Sequence, residues 1–84
     1  MRVPIPMPKL GYDMTSGFVV SWLVSVGDEV TRGQAIAEIE TDKVVIEMES
    51  SKAGTLVEIV CEADEDTEIE VGEVIGYLEE IEKE

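Results

Sequence analysis

AIAEIETDKVVIEME, residues 35–49, decides the architecture of this chain. Ala35, Ala37 and Ile39 alternate with Ile36, Glu38 and Glu40 before the pair Asp42-Lys43, and Val44, Ile46 and Met48 alternate with Val45, Glu47 and Glu49 after it. A period of two marks half-buried strands, so the stretch is read as a β-hairpin. Parity sets the register. With Asp42 and Lys43 as the two loop residues, Ile39 falls opposite Ile46, Ala37 opposite Met48 and Glu38 opposite Glu47; one more loop residue would set Ala37 against Glu47 and mix the faces. Asp-Lys lacks the Asn-Gly chemistry suited to two positive φ angles, which favours a type I geometry or a wider even loop. Lys43 is thereby placed at a hairpin tip, where a lysine is ordinarily only a solvated side chain.

Working outward, Val3, Ile5 and Met7 alternate with prolines at 4, 6 and 8. Proline donates nothing to a ladder, so this strand is expected either at a sheet edge or paired only through its other residues. Residues 9–16 read as a loop with Gly11 as its turn signal, leaving Tyr12 and Met14 exposed. The run 18–26 is expected to put Phe18, Val20, Trp22 and Val24 on one face, and Phe18, Trp22 and Cys61 are expected in the core. Further strands are expected at 55–62 and 74–78. No stretch carries helical spacing and strands recur about every ten residues with glycine between them, so the fold class is all-β, a flattened β-barrel or sandwich.

The chain also repeats itself. Val3, Ile5 and Met7 answer to Val44, Ile46 and Met48; GFVV at 17–20 to GTLV at 54–57; and residues 30–36 to 69–75, bringing Gly33 onto Gly72. Two similar halves imply an approximate two-fold axis. Under it the strand ending at Glu40 is equivalent to the strand ending at Glu79, so the lysine turn should lie at the end of the molecule opposite the termini.

Eighty-four residues make one small domain, with little room for an enclosed active site. The absence of histidine removes the commonest acid/base group and metal ligand, and a single cysteine, Cys61, forms no internal disulfide. Twenty acids against six bases give a net charge of −14. That charge argues against nucleic acid or an anionic membrane as a partner. There is no run of eighteen apolar residues, and no basic, apolar leader. Acids concentrate from Glu62 to Glu84, but without the glycine and spacing of a calcium loop, so no metal is expected.

ETDKV between two such strands resembles the attachment turn of lipoyl domains, in which this lysine carries lipoate in amide linkage. The order of MPKLG (7–11), MTSG (14–17), Trp22, VGDEV (26–30), GQ (33–34) and GTLVEI (54–59) is similar to that family over nearly the whole chain. The opening most resembles the dihydrolipoyl acyltransferase component of pyruvate and acetoin dehydrogenase complexes. The resemblance implies two four-stranded sheets related by a pseudo-two-fold, a lipoyl-binding domain over 1–80, and an acidic tail or linker start over 81–84. It implies a non-catalytic carrier with lipoate on Lys43. Glu40 and Asp42 would mark the turn, and Leu10, Tyr12, Asp13 and Met14 would help a cognate enzyme choose its carrier. Implied partners are a lipoate-protein ligase or lipoyl transferase, a thiamine-dependent 2-oxo acid decarboxylase, dihydrolipoyl dehydrogenase and an acyltransferase core. The isolated domain is expected to be a monomer, in the cytoplasm or, in a eukaryote, the mitochondrial matrix.

Three other readings share the hairpin. A biotinyl carrier domain typically brackets its lysine with methionines, whereas Asp42 and Val44 stand here. An unmodified interaction module would leave Lys43 plain, and a ligase assay separates the two. Schiff-base catalysis by Lys43 needs a depressed lysine pKa, which Glu40, Asp42 and Glu47 oppose.

Overall fold

The computed structural model describes residues 1–11, 13–42 and 44–80. Eight strands follow one another: β1 (Arg2–Pro6), β2 (Ser16–Trp22), β3 (Glu29–Val30), β4 (Ala35–Glu40), β5 (Val45–Glu49), β6 (Gly54–Ile59), β7 (Ile69–Glu70) and β8 (Val74–Glu80). They form two antiparallel four-stranded sheets, ordered β1-β8-β6-β3 and β5-β4-β2-β7. Replacing each strand of the first half by its counterpart four strands later converts one order into the other. The sequence repeat is therefore a real two-fold relation between the sheets.

The symmetry extends to the irregularities. The pairing of β1 with β8 skips Ile75, and that of β5 with β4 skips Ile36. β2 carries its extra residue at Val20 and β6 at Val57. Each of these bulges shifts side-chain parity by one, and the burial follows the shift. Ile36, expected to face away from Ala37, is buried along with it, and Ile75 is buried in the same way. The expected face of β2 is corrected for the same reason. Val19 is fully enclosed, while Phe18 is only half-buried and stands outside the core cluster; beyond the bulge, Trp22 and Val24 return to the core.

Between the sheets lie Met7, Val19, Val30, Ile36, Ile39, Leu56, Ile75 and Leu78, each almost wholly removed from water. Burial of a side chain of this size contributes about 1.5–3 kcal/mol, which makes this single layer the main stabilising element of so small a domain. Cys61 is half-buried against it, and its carbonyl accepts the Trp22 indole N–H at 2.9 Å. Gly33 and Gly72, paired by the repeat, both adopt positive φ, at 88° and 97°.

The repeat needs one adjustment. Register pairs Val3 with Leu78 and Ile46 with Ile39, so Val3 answers to Ile46, Ile5 to Met48 and Met7 to Ser50. The first strand is thus displaced by two residues from the alignment read in the sequence. A shift of two preserves parity, so the hydrophobic pattern could not reveal it.

Candidate functional site

The hairpin β4–β5 has the register that parity dictated: Ile39 opposite Ile46, Glu38 opposite Glu47 and Ala37 opposite Met48. It is closed by Thr41, whose backbone N–H donates to the Val44 carbonyl at 2.8 Å. The Thr41 hydroxyl accepts from the Val44 N–H at 3.1 Å and lies 3.0 Å from the Val44 carbonyl oxygen. This triple tie leaves two loop positions, Asp42 and Lys43. Asp42 is exposed; Lys43 lies outside the described residues. Sequence reasoning missed Thr41. A hydroxyl residue opening a tight turn is the signal that could have found it, because such side chains bond the local backbone.

Glu40 is half-buried, paired with Val45 on one side and Phe18 on the other. The first loop sits beside the turn. An open groove of about 410 Å³ runs between Leu10, Gly11, Asp13 and Met14 on the loop and Thr41, Asp42, Val44 and Ile46 on the hairpin. Of the four recognition residues named from the sequence, Leu10 is half-buried, Asp13 is exposed, and Tyr12 lies outside the described residues. Met14 corrects the expectation of exposure. It is buried at 9 % relative exposure, and its sulfur accepts the Leu10 N–H at 3.2 Å. A thioether is apolar enough to enter the core and flexible enough to fill it, so Met14 pins the loop rather than presenting itself.

The turn and the termini are equivalent by topology. Glu80 N–H donates to the Met1 carbonyl at 2.7 Å, the same bond that Thr41 makes to Val44 in the other half. Lys52 pairs with Glu80 at 3.6 Å, and the neighbouring Ser50 carbonyl accepts from Gly33 at the start of β4. The end of β8 therefore lies near where β4 begins, and the turn lies where β4 ends. Six residues of strand separate them, about 20 Å.

The family model of biotin and lipoyl attachment domains, described as biotin-requiring enzyme, matches residues 3–78. The chain belongs to this family. Within it the likeness is to lipoyl domains. A solved lipoyl domain of the 2-oxoglutarate dehydrogenase complex from Azotobacter vinelandii is 35 % identical, with a TM-score of 0.69 over 93 % of this chain and 96 % of that one. Among curated relatives, the dihydrolipoyllysine-residue succinyltransferase component of the 2-oxoglutarate dehydrogenase complex from Staphylococcus saprophyticus is 42 % identical over 76 residues, 90 % of this chain. The acetyltransferase component of the pyruvate dehydrogenase complex from Corynebacterium glutamicum is 46 % identical over 74 residues, 88 % of this chain. The lipoyl domain described here spans 18 % and 11 % of those two proteins. A lipoyl domain is a carrier unit and contributes no catalytic residues of its own.

Proposed function

We propose that Lys43 carries lipoate in amide linkage and that the domain shuttles acyl groups and reducing equivalents between the active sites of a 2-oxo acid dehydrogenase complex. The observation that carries this reading is the hairpin closed by Thr41 and Val44. It confines the loop to two positions, one of them a lysine, at the end of the molecule remote from the termini. The dithiolane, when attached, supplies a disulfide that accepts two electrons as it takes up an acyl group. The chain's own residues hold the attachment point at a rigid sheet end and keep the flanking side chains in solvent. Tethering then replaces free diffusion by a high effective concentration at each successive site.

Partners on this reading are a lipoate-protein ligase or lipoyl transferase, a thiamine-dependent decarboxylase, dihydrolipoyl dehydrogenase and an acyltransferase core. The compartment is bacterial cytoplasm or mitochondrial matrix. Leu10, Tyr12 and Asp13 form the recognition edge, with Met14 as their anchor. The test is mass spectrometry after incubation with a lipoate-protein ligase, lipoate and ATP. One lipoyl group should be gained by the parent and none by Lys43→Ala. That variant should stay within about 0.5 kcal/mol of the parent, because the turn's closing bonds come from Thr41 and Val44. Modification at Lys9 or Lys52, or biotin accepted in place of lipoate, would overturn the reading. Asp13→Ala should slow reductive acylation by the cognate decarboxylase while leaving ligation unchanged.

A further inference from the structure

The two outer strands β1 and β5 are equivalent by symmetry, yet their free edges differ. In an antiparallel ladder, alternate residues direct both N–H and C=O to the paired strand and the others direct them outward. On β5, the Val44 carbonyl accepts from Thr41 and the Ser50 N–H donates to Gln34, so the even-numbered residues face β4. Val45, Glu47 and Glu49 therefore point their backbone groups at the free edge. On β1, the Met1 carbonyl accepts from Glu80 and the Met7 N–H donates to Glu73, so Arg2, Pro4 and Pro6 point outward. The positions equivalent to Glu47 and Glu49 are Pro4 and Pro6. Proline removes the donor at both, which closes that edge to an added strand. The β5 edge keeps all three donors and has neither proline nor lysine.

We propose that the edge of β5 is a docking site for an extended basic segment of a partner protein, which adds to the sheet as a fifth, antiparallel strand. The side chains of Val45, Glu47 and Glu49 are exposed on one face, and the side chains of the added strand opposite them share that face. Glu38 lies directly across from Glu47, and no ion pair among the described residues neutralises either. The matching strand places two cations opposite Glu49 and Glu47 and an apolar residue opposite Val45. A second copy of this chain is a poor occupant, because it would bring the same glutamates and the same net charge of −14. The docking does not depend on modification of Lys43.

The symmetry supplies the decisive variant. Pro4 shows that this fold accepts proline at the position equivalent to Glu47, so Glu47→Pro should fold while losing the outward donor. The probe is a capped peptide with the core Lys-Thr-Lys-Thr-Val, titrated into the 15N-labelled domain. Hydrogen exchange at the Val45, Glu47 and Glu49 amides should be fast in the free domain and slow at least tenfold with peptide. Glu47→Pro should weaken binding at least tenfold, as should Glu47→Lys and a peptide N-methylated on alternate amides. Failure of the peptide to protect these amides at millimolar concentration would overturn the proposal. Equal binding by a folded Glu47→Pro variant would do the same.

Discussion

Gly54→Ala should be the most damaging small change in this chain. A Cβ built on Gly54 overlaps the carbonyl oxygen of Glu79 and lies 2.9 Å from its carbonyl carbon and 3.1 Å from the Glu80 Cα. All three atoms are backbone, so relief requires β6 and β8 to part where Gly54 faces Glu80 and Thr55 faces Glu79. Overpacking of this kind costs about 1–3 kcal/mol. One or two weakened ladder bonds add about 1 kcal/mol each. Stiffening of the unfolded chain returns about 0.4–1 kcal/mol. The net loss is about 1–4.5 kcal/mol, a fall in Tm of roughly 5–35 °C for a domain of this size. Its symmetry mate differs. At Gly17 the nearest obstacle is the Met14 Cε at 2.9 Å, a flexible end that can turn aside, with the Glu40 carbonyl at 3.1 Å. Gly17→Ala should therefore cost about 0.5–2 kcal/mol. It should also slow lipoylation, because it presses on the strand that leads into the lysine turn. Thermal unfolding followed by Trp22 fluorescence ranks the pair, and ligation rates measured well below both midpoints separate stability from the site. A Gly54→Ala domain as stable as the parent, or less perturbed than Gly17→Ala, would show that the close backbone approach of β6 and β8 does not limit the residue at this position.

At Gly33 and Gly72 an added Cβ meets nothing within 4 Å, so backbone strain is the main opposition to a substitution. Valine at either should cost about 1–3 kcal/mol, and the two losses should agree by chemical denaturation. Met14→Ala empties a core site and should cost about 2–5 kcal/mol in the same assay, with Leu10 losing its bond to the sulfur. Asp64 has its pKa held below the ordinary aspartate value of 3.8 by the Thr67 hydroxyl first and the Asp66 N–H second. A lowered folded pKa stabilises above the ordinary range and is lost as pH falls through the folded value. The small stability difference between the parent and Asp64→Ala should therefore vanish on acidification below that range. Burial first, and the Glu73 carboxylate second, raise the pKa of the Cys61 thiol, so at neutral pH it should alkylate more slowly than a free cysteine.

Strand parity and turn spacing were legible in the residues themselves, which is why the β4–β5 register could be read from the sequence, while the prolines of β1 left an edge strand as one of two alternatives. Parity is also what concealed the rest. A bulge inserts one residue without any compositional mark, so Ile36 and Phe18 were assigned to the wrong faces, and a two-residue displacement of the first repeat left every apolar residue in phase. Met14 was read as exposed because loops are usually solvated; its burial follows from joining the core cluster between the sheets, a tertiary packing that no local pattern encodes. Spacing alone put Lys43 at the expected hairpin tip, and reading it as an attachment point rests on the resemblance to lipoyl domains.

The bond between Glu80 and Met1 bears on how such a domain would hang within a longer polypeptide. Because it repeats the Thr41–Val44 closure, a dipeptide would suffice to join the two ends, and the break could be moved to another turn without altering a single strand neighbour. Met1 and Glu80 themselves lie side by side, so connections made at these two residues would start from one place on the molecule. Such a domain hangs as a pendant from its cord instead of being threaded like a bead.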